Sequence, residues 1–221
     1  MEMKKRVAEA AVEYVQDGMV VGLGTGSTAF WAIQKLGARV KEGLRIKAIA
    51  TSAKSEALAI ELGIPMVPFA EVDYIDVTID GADEVDMEFN LIKGGGGALL
   101  REKIVAAASR QLIVIVDETK LVRQLGQFSL PVEAVRFGIE TTKRAIEQLG
   151  CRAGLRLHDG SPYITDNGNY ILDCEFGTIE HPEQLTHRLN AIPGVVDNGL
   201  FIQMARKIIV GYRDGVIKTL E

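Results

Sequence analysis

Between Ile75 and Lys103 the chain reads IDVTIDGADEVDMEFNLIKGGGGALLREK, a stretch dense in groups for acid–base chemistry on a bound ligand. Asp80 and Asp83 are carboxylates flanking Gly81 and Ala82, Lys93 adds a positive charge, and Gly94, Gly95, Gly96 and Gly97 follow it directly. Glycines lack Cβ atoms, so their backbone N–H groups can turn inward and approach a ligand closely. Glu102 then supplies another carboxylate. Each motif alone also fits a solvated turn or a flexible loop, because single matches are weak signals. Their convergence in one supersecondary unit points to a site.

The surrounding pattern says what must position them. Ile75, Val77 and Ile79 alternate with Asp76, Thr78 and Asp80, the period of a strand, which places Asp80 and Asp83 at its carboxyl end. A second short strand is expected over Phe89–Ile92, ending in Lys93 and the glycines. A helix is expected over Ala98–Ala108, with Glu102 about one turn inside its start.

Upstream, Val7, Ala11, Tyr14 and Val15 fall at helical spacing and Gly18 is placed to stop that helix. Met19–Leu23 is an apolar run suited to a buried strand, opening into Gly22-Leu23-Gly24-Thr25-Gly26-Ser27-Thr28 and a helix from about Ala29 to Leu36. A glycine-rich turn between strand and helix is a phosphate cradle, since N–H donors point outward and the helix dipole favours negative charge. Gly24-x-Gly26-x-x-Ala29 also fits the dinucleotide fingerprint. That fingerprint needs an acid at the end of the second strand, but Leu44–Ala50 runs into Thr51-Ser52-Ala53-Lys54. This excludes NAD, and the missing G-x-x-x-x-G-K-[ST] loop excludes a nucleoside triphosphate. A small phosphate held by Ser27, Thr28 and backbone amides remains.

Ser52 reads as the N-cap of a helix ending near Gly63, Ile64–Val67 as a third short strand, and Leu112–Val116 as a strand ending in Asp117-Glu118-Thr119-Lys120. Alternation of strand and helix from Met19 to Val116 implies a doubly wound, mostly parallel α/β sheet. Ligands in such sheets bind outside the carboxyl ends of the strands, where Thr25–Thr28, Asp80–Asp83, Lys93–Gly97 and Asp117–Lys120 are all expected. Farther on, Val132–Phe137, Thr141–Leu149, Arg152–Leu157, a hairpin-like Tyr163–Phe176 turning at Asp166-Asn167-Gly168, Glu183–Asn190 and Gly194–Val196 follow in turn. They give the order β-α-β-β-α-β of a ferredoxin-like domain. Asp173 and Glu175 read as the polar face of a strand around Cys174. The tail, Leu200–Gln203 and Lys207–Tyr212 with a turn at Arg213-Asp214-Gly215, is expected to return to the larger domain as extra strands.

Composition bounds the function classes. A chain of 221 residues, 47% hydrophobic and 25% charged, suits a soluble globular protein, and a net charge of −5 with dispersed Lys and Arg speaks against nucleic acid. Two cysteines, Cys151 and Cys174, suit a reducing cytosol and form neither a disulfide framework nor a zinc quartet. His158, His181 and His187 lack metal-ligand spacing. The N-terminus reads as an amphipathic helix rather than a signal peptide, and no segment approaches the ~20 apolar residues of a membrane span.

Five separated blocks carry a resemblance: GTGST at 24–28, DGADE at 80–84, KGGGGA at 93–98, REK at 101–103 and NAIPGVVDNGLF at 190–201. Together the chain resembles type A ribose-5-phosphate isomerases over nearly its whole length. The resemblance implies a Rossmann-like catalytic domain (1–127 plus 200–221) and a smaller ferredoxin-like α+β domain (128–199) for closure and dimerisation. It also implies a homodimer that isomerises D-ribose 5-phosphate without a cofactor or metal, in the cytoplasm, as part of the pentose phosphate pathway. Glu102 falls on the family's proton acceptor. Thr25, Gly26, Ser27, Thr28, Asp80, Gly81, Ala82, Asp83, Lys93, Gly94, Gly95, Gly96 and Lys120 fall on its substrate contacts. One departure is Gly97, a fourth glycine where the family typically has alanine.

An aldose–ketose isomerase opens the furanose, removes a proton from C2 and returns one to C1. A carboxylate such as Glu102 is a competent base for this. Lys93 and the Gly94–Gly96 amides are donors fixed where enediolate charge grows, and Asp80 and Asp83 suit the hydroxyl protons of ring opening. A related sugar-phosphate deaminase, lactonase or CoA-transferase would use a similar strand-end site. A non-catalytic sugar-phosphate sensor would need only the phosphate loop.

Overall fold

The computed structural model describes residues 2–221. Helix α1 (Glu2–Val12) leads into β1 (Val20–Leu23), α2 (Ala29–Lys41), β2 (Lys47–Ala50), α3 (Ala53–Glu61) and β3 (Val77–Asp80). Short strands β4 (Glu84–Val85) and β5 (Leu91–Ile92) precede α4 (Leu99–Ala107) and β6 (Leu112–Asp117). Then come β7 (Leu130–Ala134), α5 (Ile139–Glu147), β8 (Arg152–Leu155), β9 (Leu157–His158), β10 (Ser161–Pro162), β11 (Tyr170–Glu175), α6 (Pro182–Asn190) and β12 (Val195–Asn198). Strands β13 (Leu200–Phe201), β14 (Ala205–Gly211) and β15 (Ile217–Leu220) close the chain.

Two compact units result. The first comprises Met1–Ala82, Arg101–Lys120 and Met204–Glu221, and the second Asp83–Leu100 and Leu121–Gln203. These limits differ from the expected 127/128 and 199/200 boundaries, because Asp83–Leu100, 121–127 and 200–203 all go with the second unit. Leu200–Phe201 was expected in the larger sheet. It pairs instead with Leu91–Ile92 of β5, in a small sheet ordered β13-β5-β4.

The first unit holds a six-stranded sheet, β15-β14-β6-β3-β1-β2. All neighbours run parallel except the edge pair β14–β15. The expected doubly wound α/β architecture is therefore present, and the tail returns through β14 and β15. In β6, LIVIV is buried throughout, as a central parallel strand covered on both faces must be. Each such fully buried side chain contributes about 1.5–3 kcal/mol. Val7, Ala8, Ala11 and Val12 form the apolar stripe of α1 and join the same core. Because β1 lies between β2 and β3, the chain leaves β1 in one direction and returns past it in the other. The ends of β1 and β3 thus flank a topological switch point, where open α/β sheets form their ligand crevice.

The second unit holds an antiparallel sheet, β12-β7-β11-β8, with α5 between β7 and β8 and α6 between β11 and β12. This is the expected ferredoxin-like order. Leu130, Val132, Ala134, Leu172 and Cys174 face one core together with Ile146 and Leu189 of the helices. Period-2 alternation puts Pro131, Glu133 and Asp173 on the other face.

Three expected elements differ. Ile64–Val67 is no strand: Met66 makes one bridge to Ala48, since Pro65 and Pro68 lack the N–H groups a ladder needs. The strand expected from Phe89 begins at Leu91, because Asp86 Oδ1 accepts the N–H groups of Glu88 and Asn90 in a turn and Phe89 takes φ 63°. The turn expected at Asp166-Asn167-Gly168 is present, closed by Gly168 N–H to the Thr165 carbonyl at 2.9 Å, but no strand ladder flanks it. A separate hairpin turns at Asp159-Gly160, both at positive φ, and pairs β9 with β10. Residues 163–169 form a loop whose ends meet through Thr165 N–H to the Asn169 carbonyl at 2.9 Å.

Ser52 caps α3 as expected, its Oγ accepting from Ser55 N–H at 3.2 Å. Ser52→Ala should lower stability by about 0.5–2 kcal/mol. This is read as a lower urea midpoint at constant m-value; an unchanged midpoint would contradict the capping role.

Candidate active site

In the first unit the glycine-rich turn after β1 is fastened to the end of β3. A Cβ on Gly24 would stand 2.3 Å from Asp80 Oδ1 and 2.6 Å from Asp80 Cα, so only glycine permits this approach. Asp80 is 1% exposed, and its Oδ1 accepts from Thr25 N–H at 3.0 Å and Gly81 N–H at 2.8 Å. The Thr25 hydroxyl faces inward, 2.7 Å from Thr51 Oγ1 and 2.8 Å from Ser52 Oγ, while Ser55 Oγ donates to the Gly24 carbonyl at 2.7 Å. Hydroxyls from the ends of β1 and β2 thereby lock the loop from below. Gly26 and Ser27 are exposed on top, and Thr28 opens α2 without a capping bond to its own helix.

Lys4 of α1 reaches this loop, its Nζ donating to Ser27 Oγ at 2.8 Å. The sequence had shown α1 only as an amphipathic helix. The one available signal was a lysine pair beside the apolar stripe, which does not say which loop it meets. Lys120 ends a 3₁₀ turn (Glu118–Lys120) that follows β6, next to β3, at the same carboxyl edge. Glu102 lies in the first turn of α4 and is 4% exposed.

In the second unit, Asp83 Oδ2 accepts from Gly95 N–H at 2.8 Å, and Asp83 N–H donates to the Ile92 carbonyl at 2.8 Å. Lys93 is 2% exposed, with Nζ 5.5 Å from the Phe201 ring centroid. Gly94–Gly97 is a turn closed by Gly97 N–H to the Gly94 carbonyl at 3.0 Å, and Gly95 and Gly96 are its exposed residues. Gly97 takes φ +82°, and the Tyr163 hydroxyl lies 2.2 Å from where its Cβ would be. The fourth glycine is thus fixed by backbone conformation and by a tyrosine at once. Burial, chiefly, pushes the Tyr163 phenol above its ordinary value, with Asp166 adding to the effect, so it stays a neutral hydroxyl at neutral pH. Glu84 of the DGADE block is 3% exposed and accepts the N–H groups of Gly126 and Phe128, a purely architectural use. Arg156 contacts the glycine turn from β8's end, and sequence reading gave no hint of it.

Chemically, these residues offer an anion-binding loop with an ammonium beside it, buried carboxylates at strand and helix ends, and N–H donors on a rigid turn. Comparison with known proteins gives the family. The family model for ribose 5-phosphate isomerase A (phosphoriboisomerase A) matches residues 47–215. The chain belongs to this family. It is 52% identical over 217 residues to ribose-5-phosphate isomerase A of Bacillus mycoides, covering 98% of each chain. A ribose 5-phosphate isomerase from Plasmodium falciparum superposes with a TM-score of 0.97 at 40% identity, covering 100% of this chain and 98% of that one. A D-ribose-5-phosphate isomerase in complex with phospho-erythronic acid gives 0.96 at 44% identity, with the same coverage. Members of the ribose-5-phosphate isomerase A family are isomerases, and this chain is one by descent along its full length.

Gly24→Ala forces its methyl into the backbone at Asp80. It should destabilise by about 1–3 kcal/mol as overpacking does, read as a lower melting temperature. A parent-like melt would show that the loop is not held against β3.

Proposed function

We propose that the protein interconverts D-ribose 5-phosphate and D-ribulose 5-phosphate through a cis-enediolate, within the pentose phosphate pathway and in the cytoplasm. The observation that carries this is Glu102: a buried carboxylate in the first turn of the helix that follows the glycine turn, in a chain of this family. The helix N-terminus favours its ionised form.

The phosphate is held by Ser27, Thr28 and the loop amides, with Lys4 and Lys120 supplying positive charge. Asp80 and Asp83, each already oriented by backbone N–H donors, handle the hydroxyl protons of furanose opening. In the open aldehyde, Glu102 takes the C2 proton and the electron pair moves into the C1–C2 bond, pushing charge onto O1. Lys93 and the glycine turn hold that oxygen, whose stabilisation is electrostatic and in place before the reaction. The O2 hydroxyl proton passes to O1, the C1–C2 π pair takes the captured proton at C1 and the electrons left on O2 close the C2 ketone, so atoms and electrons balance with no outside reagent. The same resemblance leads us to propose a homodimer, which sedimentation would check.

Glu102→Gln keeps shape and removes basicity. It should lower kcat on the order of 10²–10⁴-fold with folding and KM largely kept. A near-parent kcat would remove Glu102 from the proton-transfer role. Lys4→Met should raise KM for ribose 5-phosphate on the order of tenfold or more, since a hydrogen bond to a charged group is worth ~1.5–3 kcal/mol. Equal turnover of free ribose by the parent would contradict the phosphate handle. Because no His, Cys or carboxylate set has ligand spacing in the sequence, turnover is expected to survive exhaustive EDTA. Loss on chelation with recovery on adding a divalent ion would overturn that expectation.

A further inference from the structure

The glycine turn is gripped by an ion pair that the mechanism above leaves unused. Arg156 forks onto Asp173 of β11, with Nε 2.9 Å from Oδ2 and Nη2 on Oδ1. Its remaining nitrogen, Nη1, donates to the Gly94 carbonyl at 2.8 Å and the Gly95 carbonyl at 3.3 Å. The Arg156 side chain is 14% exposed and that of Asp173 32%, so the ion pair is partly shielded from water.

Peptide geometry turns that grip into a statement about donors. In a trans peptide the C=O and N–H point opposite ways, and no described bond is cis. Holding the Gly94 carbonyl therefore aims the Gly95 N–H away from Arg156, where Asp83 Oδ2 takes it at 2.8 Å. Holding the Gly95 carbonyl aims the Gly96 N–H away from Arg156 in the same manner. The Gly97 N–H closes the turn on the Gly94 carbonyl at 3.0 Å. Tyr163, filling the Cβ space of Gly97, blocks the turn from rolling. Gly95 and Gly97 thus use their N–H groups to build the turn, and the Gly96 N–H is presented outward from an exposed residue.

We propose that Arg156 is a positioning residue, oriented by Asp173, that sets the Gly94–Gly96 peptides so that the Gly96 N–H meets the enediolate oxygen. This rests on the isomerase reading given above. The planar fork is what the role requires: it satisfies a carboxylate on one edge and still directs a donor at two carbonyls, which a lysine's point charge cannot do. A misaimed donor hurts the transition state more than the ground state, so kcat takes the loss.

Steady-state kinetics of Arg156→Lys and Arg156→Met with ribose 5-phosphate test this. Both should lose kcat on the order of 10- to 100-fold per folded molecule with little change in KM, and millimolar guanidinium ion should restore part of the activity of Arg156→Ala. Should the arginine variants not fold, Asp173→Asn carries the same expectation with Arg156 retained. Amide exchange of ¹⁵N-glycine-labelled protein reads the geometry without turnover: the Gly95 N–H should be protected in the parent and exchange faster in Arg156→Lys or Asp173→Asn. Parent-like kcat in the folded variants, a change in KM alone, or unaltered Gly95 exchange would each overturn the proposal. A parent that does not turn over ribose 5-phosphate would instead sink the isomerase reading, and the exchange result would still decide whether Arg156 orders the turn.

Discussion

One oxygen of Asp80, shared between the N–H groups of Thr25 and Gly81, ties the turn after β1 to the turn after β3. The tie works only because position 24 carries no side chain, so that the two chain ends come within reach at the sheet's switch point. The Thr25, Thr51, Ser52 and Ser55 hydroxyls brace the loop from the β2 side. An anion-binding loop must keep its amides aimed before the ligand arrives, since donors that reorganise on binding lose part of their electrostatic advantage. The buried network beneath Gly26 and Ser27 provides that stiffness, and Lys4 adds charge at the rim.

The second unit solves the matching problem at a turn rather than a strand end. Four successive glycines would be floppy in isolation, as each loses more conformational freedom on ordering than any other residue. Here Asp83, Arg156 and Tyr163 restrain three of them from separate directions. Glycine permits the close approach, and the contacts from distant chain segments remove the freedom that glycine brings. The chain runs straight from this turn into α4, so Glu102 is a few residues from it in sequence and fixed on a helix.

The sequence made the strand-end groups readable because their signals are local. Alternation before Asp80, glycines after Leu23 and Lys93, and a helical run around Glu102 all lie within a few residues of the groups they position. The parallel α/β sheet and the β-α-β-β-α-β order followed from the same periodicities. What escaped was long-range. Arg156 meets Gly94 across 62 positions and Lys4 meets Ser27 across 23, and no local pattern reports such pairings. Asp173 was read as the polar face of a strand, where it lies, but nothing local showed that its carboxylate holds Arg156. The false strand at Ile64–Val67 is different, since Pro65 and Pro68 were already visible as missing donors. Leu200–Phe201 was misassigned because two apolar residues fit either sheet, and only the pairing with β5 distinguishes them.

The central claim is that a carboxylate of this chain carries a proton between C2 and C1. Turnover of ribose 5-phosphate in deuterated water, followed by NMR of the ribulose 5-phosphate formed, tests it most directly. A carboxylate base exchanges its captured proton with solvent, so the account predicts deuterium at C1 of the product. Product formed at full rate with C1 free of solvent deuterium under all conditions would mean that the hydrogen moves directly between the carbons, and would contradict the account.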